Sequence, residues 1–172
     1  MEVKIKKLHK DAVIPFKTYQ SDFCYDVVAV SEEEVAPNVW KYGLGFALQI
    51  NRWFETLLKG NSRESFEQIL IEHPTKINLK YSPINLSIDF RPRSSVWKTG
   101  MVLSNCEGTI DELYTGEISA VFYHVIPNMP RYKVGDRIGQ IKIGVTFPIE
   151  FKEVDELSET ERGSGSYGST GK

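Results

Sequence analysis

From residue 84 to residue 90 the chain alternates without a break: Ile84, Leu86, Ile88 and Phe90 are apolar, and Asn85, Ser87 and Asp89 are polar. A period of two marks a strand with one face against a core. It recurs at Ile141, Ile143, Val145, Phe147, Ile149 and Phe151, carried through Pro148. Tyr25-Asp26-Val27-Val28-Ala29-Val30 is a short β-branched run. Residues 118–126 are apolar on both parities, which predicts a strand covered on both faces, the second by another subunit. Turn residues separate these runs at Ala36-Pro37-Asn38, Glu107-Gly108, Pro127-Asn128-Met129-Pro130 and Val134-Gly135-Asp136. Many short strands so spaced predict a β-sandwich or barrel.

Two segments break the pattern. Over residues 51–76, Trp53, Phe54, Leu57 and Leu58 recur at helical spacing, Gly60 is a stop, and Asn61-Ser62-Arg63-Glu64 resembles a capping box for a second helix striped by Phe66, Ile69 and Leu70. This reads as a helical insertion that covers a sheet edge or receives a protein partner. Residues 158–172 are rich in Gly and Ser, too poor in apolar side chains to pack a core. The 172 residues thus divide into one β domain over 1–157, interrupted by the insertion, and a flexible arm over 158–172.

Charge and cysteine content exclude several classes of function. The 21 Lys and Arg against 23 Asp and Glu leave a net charge of −2, too balanced to hold nucleic acid by bulk charge. No apolar run is long enough for a membrane span, and the N-terminus lacks the apolar stretch of a signal peptide, so a cytoplasmic protein is expected. Cys24 and Cys106, far apart and without a ligand-spaced neighbour, read as core-filling thiols. His9, His73 and His124 lack the spacing of a metal site.

Three clusters carry candidate chemistry. Arg91-Pro92-Arg93-Ser94-Ser95 follows the alternating strand and reads as a surface turn or a phosphate cradle, since guanidinium groups bind phosphate bidentately. Glu107-Gly108 turns a predicted hairpin between residues 101–105 and 109–111, and Asp111 is a lone acid just beyond it. Gly163-Ser164-Gly165-Ser166-Tyr167-Gly168 matches a dinucleotide-binding pattern in letters only, because neither the preceding strand nor the following helix is there. An arginine and an aromatic ring among these glycines suit a lid over an anionic ligand with a flat ring.

Taken in order, these segments resemble the homotrimeric dUTPase family, deoxyuridine 5′-triphosphate nucleotidohydrolases. Its five signature blocks are similar to Tyr25-Asp26-Val27-Val28-Ala29, then Pro92-Arg93-Ser94-Ser95, then the run from Gly108-Thr109-Ile110-Asp111-Glu112 through Leu113-Tyr114-Thr115-Gly116-Glu117. Gly135-Asp136-Arg137-Ile138-Gly139-Gln140 and the glycine-rich tail from Arg162 complete the set. The resemblance implies an all-β, jelly-roll-like (β-clip) subunit, a homotrimer with active sites between subunits, and a tail donated to a neighbour. It implies dUTP as substrate and Mg²⁺ as cofactor, held mainly by the substrate phosphates, with Asp26 acting on the metal through water.

Carried over residue by residue, the resemblance makes Asp111 the general base that activates water for attack on the α-phosphorus. Tyr114 would stack under the deoxyribose. Asn105 and the backbone of Gly108, Thr109 and Ile110 would read the uracil edge, and Ser119 would line the substrate. Arg93, Ser94, Ser95 and Gln140 would hold the phosphates, and Arg162 the γ end. Tyr167 would close over the uracil where the family has Phe, with Gly168 and Ser169 beside it. The chain departs from the pattern at Ser95, Trp97, Leu113 and Ser166; Trp97 is expected to pack on the insertion. A related dCTP deaminase has a glutamate where Val121 stands here, which argues against deamination. Asp136-Arg137 reads as a turn with its own ion pair.

Overall fold

In the computed structural model, residues 2–51, 85–146, 149–161 and 163–165 are described. The expected helical pair, apart from its first residue, therefore lies outside the described residues, as do Phe147, Pro148, Arg162, Tyr167, Gly168 and Ser169. The described chain forms ten strands: β1 (Glu2–Lys7), β2 (Tyr25–Val28), β3 (Ser31–Ala36), β4 (Val39–Gly43), β5 (Phe46–Asn51), β6 (Asn85–Pro92), β7 (Met101–Leu103), β8 (Gly108–Asp111), β9 (Ser119–His124) and β10 (Arg137–Thr146). A five-residue 3-10 helix, Ser94–Lys98, follows β6. Two four-stranded sheets, in orders β2-β10-β6-β8 and β3-β4-β9-β7, and a β1-β5 ribbon make a jelly-roll-like β fold.

The core lies between the sheets. Leu86, Ile88 and Phe90 of β6 are buried, as their alternation requires, with Ile138 and Ile141 of β10, Tyr42 of β4 and Phe122 of β9. Four rings meet edge-on there: Tyr42 on Phe122 at 5.9 Å and Phe122 on Tyr132 at 5.4 Å between centroids, with Phe90 6.3 Å from Phe122. The Tyr42 hydroxyl donates to the Tyr132 carbonyl at 2.8 Å, so a phenol is buried without an unpaired group. Gly139 permits the close approach of β10 to β6, since a Cβ there would overlap the Phe90 ring and sit 2.8 Å from the Arg91 carbonyl.

Several expectations need correction. On the second face of β6, Asp89 is buried at the floor of an otherwise open surface, its carboxylate accepting from Lys142 Nζ at 2.7 Å and from the Ser87 hydroxyl at 2.7 Å. The strand that carries Ile141 stops at Thr146, whose partner is Asn85 of β6, so Ile149 and Phe151 leave the sheet and are 74% and 90% exposed. The two legs around Glu107-Gly108 do not pair with each other. β7 pairs with β9 in one sheet and β8 with β6 in the other, and the chain crosses between them through Cys106 at φ 59°. Cys106 is exposed and Cys24 half-buried, so neither fills the core. The strand within 118–126 turns Ala120 and Phe122 inward as expected, and Tyr123 on its other face is half exposed on the isolated chain, the face for which a second subunit is the expected cover.

Candidate active site

Asp26 is the centre of the first polar cluster. Its strand places it opposite Gln140 of β10, which is in turn opposite Arg91 of β6. Gln140 Nε2 donates to Asp26 Oδ1 at 2.9 Å, Arg137 Nη1 to Oδ2 at 3.0 Å, and Arg93 Nε lies 3.4 Å from Oδ1. Asp26 is only 4% exposed, so these donors compensate a carboxylate that burial alone would make costly. Arg93 stands just before the 3-10 helix in extended conformation, and Ser94 and Ser95 open that helix. Four residues from three sequence blocks, more than a hundred positions apart at the extremes, thus meet at one end of the β2-β10-β6 sheet. Arg137 was missed as a member: its ion pair is with Asp26, while Asp136 Oδ2 accepts instead from the Lys133 backbone N–H at 2.8 Å.

The second cluster is built by the loop and strand from Asn105 to Tyr114. Gly108 pairs with Phe90, Thr109 with Asp89, Ile110 with Ile88 and Asp111 with Ser87. Ile110 turns toward the core; Thr109 and Asp111 are exposed on the other face. The Tyr114 N–H donates to the Asp111 carbonyl at 3.0 Å, and the Tyr114 hydroxyl to the Glu117 carbonyl at 3.1 Å. Gly116 leaves room for that ring: a Cβ would stand 2.5 Å from the phenol oxygen. An open groove of about 770 Å³ runs along Thr109, Asp111, Ser87, Asp89 and Lys142. Ser119 lies apart, on β9 opposite Gly43.

Among the described residues, β7 and β8 are each the outermost strand of their sheet. Each therefore offers main-chain N–H and C=O groups on the side away from its partner. A flat, hydrogen-bonding ring suits the gap between such legs.

Asp26 and Asp111 are held apart within the protomer. Three strand steps at ~4.8 Å and four residues along β6 at ~3.4 Å put them about 20 Å from each other. The structure thus groups Asp26, Arg93 and Gln140, and separately Asn105, Gly108, Thr109, Ile110, Asp111 and Tyr114. Among the described residues no group of three or more His, Cys, Asp or Glu is placed to hold a metal.

The Asp89–Lys142 pair beside the groove carries a pH signature. Burial acts to raise the Asp89 pKa, but the hydrogen bonds from Lys142 and Ser87, with the nearby Lys142 and Arg91 charges, outweigh it and hold the carboxyl below its ordinary value. A carboxyl lowered by folding contributes stability that is full above the unfolded pKa of about 3.9 and is lost as pH falls through the folded value. Asp89→Asn should therefore flatten the pH dependence of the urea midpoint below about pH 4; an unchanged slope would remove the pair from acid stability.

A family model described as dUTPase matches residues 66–171. The deoxyuridine 5′-triphosphate nucleotidohydrolase of Gloeothece citriformis is 31% identical over 99% of this chain and 97% of its own length. That of Clostridium kluyveri is 32% identical over 99% of both. Among solved structures, a mutant of the Staphylococcus bacteriophage 80alpha dUTPase with dUpNHpp superimposes with a TM-score of 0.70 at 20% identity, covering 99% of this chain and 98% of that one. A mutant dUTPase from phage phi11 of S. aureus, in which a structural Mg(II) ion is coordinated, gives a TM-score of 0.62 at 16% identity over 92% of this chain and all of that one. At these identities the two structures attest the fold.

Proposed function

This chain belongs to the dUTPase family, and on that premise we propose that it is a dUTP diphosphatase, hydrolysing dUTP to dUMP and pyrophosphate. The observation that carries the reading is the divergence of β7 and β8 into different sheets. Two strand edges flanking Asn105, without a ladder partner among the described residues, supply donors and acceptors for one pyrimidine edge. A mismatched edge would leave those groups unpaired, a strong basis for rejection. Tyr114, tethered through Glu117 and packed over Gly116, offers a flat face for the deoxyribose.

In this mechanism Asp111 takes a proton from water as its oxygen attacks the α-phosphorus in line. The bond from that phosphorus to the bridging oxygen breaks, and pyrophosphate leaves with the electron pair. Arg93, Ser94, Ser95 and Gln140 hold the phosphate oxygens, so that acceleration comes mainly from positioning and charge neutralisation. Asp26 fits an indirect role toward Mg²⁺. Its carboxylate accepts from Gln140 and Arg137, with Arg93 3.4 Å away, and a water on the metal would reach it only from the side where these phosphate-holding residues open to substrate. The metal, carried by the triphosphate, would neutralise its charge.

A separation of about 20 Å between Asp26 and Asp111 supports a site completed between protomers of a trimer. So does the segment after β10, whose Ile149, Phe151 and Leu157 are 74%, 90% and 87% exposed on the isolated chain. Arg162, Tyr167, Gly168 and Ser169 would then close over a neighbour's substrate.

The test is pyrophosphate release from dUTP, dTTP, dCTP and UTP, with and without EDTA, on protein sized by sedimentation. The expected result is a trimer that favours dUTP by about 100-fold or more in kcat/KM and slows in EDTA. Equal release from all four nucleotides, or ammonia release from dCTP, would overturn the reading.

A further inference from the structure

The ladder between β6 and β8 ends at Phe90 and Gly108, yet the contact continues one step further in side chains. Arg91 Nη2 and Nε both donate to Glu107 Oε1, at 2.7 and 3.1 Å. Both residues are about half exposed, at 53% and 49%, so the ordinary expectation is a surface ion pair of little consequence. Its location argues otherwise. Arg91 pairs with Gln140 on its other flank and is two residues before Arg93, so its strand adjoins one member of the Asp26 cluster and leads into another. Glu107 belongs to the turn after Asn105, where Cys106 takes a positive φ and the Glu107 N–H returns to the Asn105 carbonyl. Main-chain bonds tie the turn on its β7 side, from Ser104 N–H to the Val121 carbonyl at 2.9 Å and from Cys106 N–H to the Leu103 carbonyl at 3.3 Å, whereas β8 begins only at Gly108 and the Arg91 side chain reaches Glu107 from the β6 side. Beneath it Gly108 lies close on Phe90, where an added Cβ would come within 3.3 Å of the Phe90 Cβ.

We propose that the Arg91–Glu107 pair is a positioning device for the hydrolysis, tying the base-reading turn to the strand that leads into the phosphate-binding arginine and thereby setting discrimination among pyrimidine triphosphates. The proposal rests on the functional reading above. Neither side chain is assigned a contact with substrate; the pair acts through Asn105 and the edge of β8. A cross-strand ion pair directly beyond the last ladder rung is the sheet arrangement in which opposite charges reinforce register.

The test compares wild type with Arg91→Ala, Glu107→Ala and the exchanged pair Arg91→Glu with Glu107→Arg. Each single variant should raise KM for dUTP about 3–5-fold and lower the dUTP over dCTP ratio of kcat/KM, with kcat and thermal midpoint close to wild type. The double alanine variant should be no worse than either single one, because one interaction is lost in each case. The exchanged pair should recover most of the discrimination. Single variants with wild-type KM and discrimination, additive effects, or losses that follow the thermal midpoint would overturn the proposal. If wild type itself releases no pyrophosphate from dUTP, the functional reading fails instead, and the two failures are thereby distinguished.

Discussion

Asp111→Asn should lower kcat by about 10²–10⁴-fold, the usual contribution of a positioned general base, while the protein still binds the non-hydrolysable analogue dUpNHpp. Asparagine keeps the size and hydrogen-bonding reach of the side chain but cannot accept the proton of the attacking water. Asp111 is the last residue of β8 and exposed, so the change removes no core contact. The Asp111 carbonyl that accepts from Tyr114 is main chain and survives the substitution. The measurement pairs single-turnover hydrolysis with calorimetric binding of the analogue. Lost turnover with retained binding supports the base, and wild-type kcat would refute it.

Asp26→Ala should be the most damaging substitution to the fold and to binding together. The carboxylate is the shared acceptor for Arg93, Arg137 and Gln140, and it is nearly inaccessible to water. Arg93 and Arg137 are 34% and 42% exposed and keep part of their hydration, so the loss should cost about 1–3 kcal/mol, the range for removing a charged hydrogen-bond acceptor, and not the full penalty of a buried pair. Arg137 keeps weaker compensation from the Thr18 hydroxyl at 3.3 Å and the Phe16 ring at 5.3 Å, whereas Arg93 would be released from its position at the head of the 3-10 helix. The expected outcome is a large drop in the urea midpoint together with loss of triphosphate affinity. Asp26→Asn, which keeps two acceptor lone pairs but not the charge, should fall between. If Asp26→Ala matched wild type in both, the cluster would be neither structural nor substrate-holding.

Much of the β architecture was legible because burial imposes its own period: Leu86, Ile88 and Phe90 had to share a face. The failures share a physical origin. Asp89 looked like a solvent-facing residue because its partner, Lys142, is 53 positions away, and a local pattern contains no information about such a pair. The turn at Glu107-Gly108 was recognised, but a turn does not specify whether its legs bond to each other or to strands already waiting in two sheets. Period two beyond Thr146 was genuine in the letters, yet Ile149 and Phe151 lie outside any strand, and among the described residues the ladder's final pair is Thr146 with Asn85. Individual site residues were legible through their order along the chain. Their division into two groups on one sheet, and the recruitment of Arg137 to Asp26, depended on register.

The open edges of β7 and β8 have a consequence for heritable variation. If these peptide groups read the base as proposed, every amino acid except proline presents the same donors and acceptors there. Side chains such as Thr109 can drift without erasing the donors and acceptors beneath them. Intolerance should concentrate where geometry, not chemistry, is at stake: at Gly108 against Phe90, at Gly116 under Tyr114, and at Cys106, whose backbone most L-residues adopt reluctantly. Fidelity toward the base would in this way be shielded from much single-letter change, with its fragility gathered at these three backbone positions and at the Arg91–Glu107 pair.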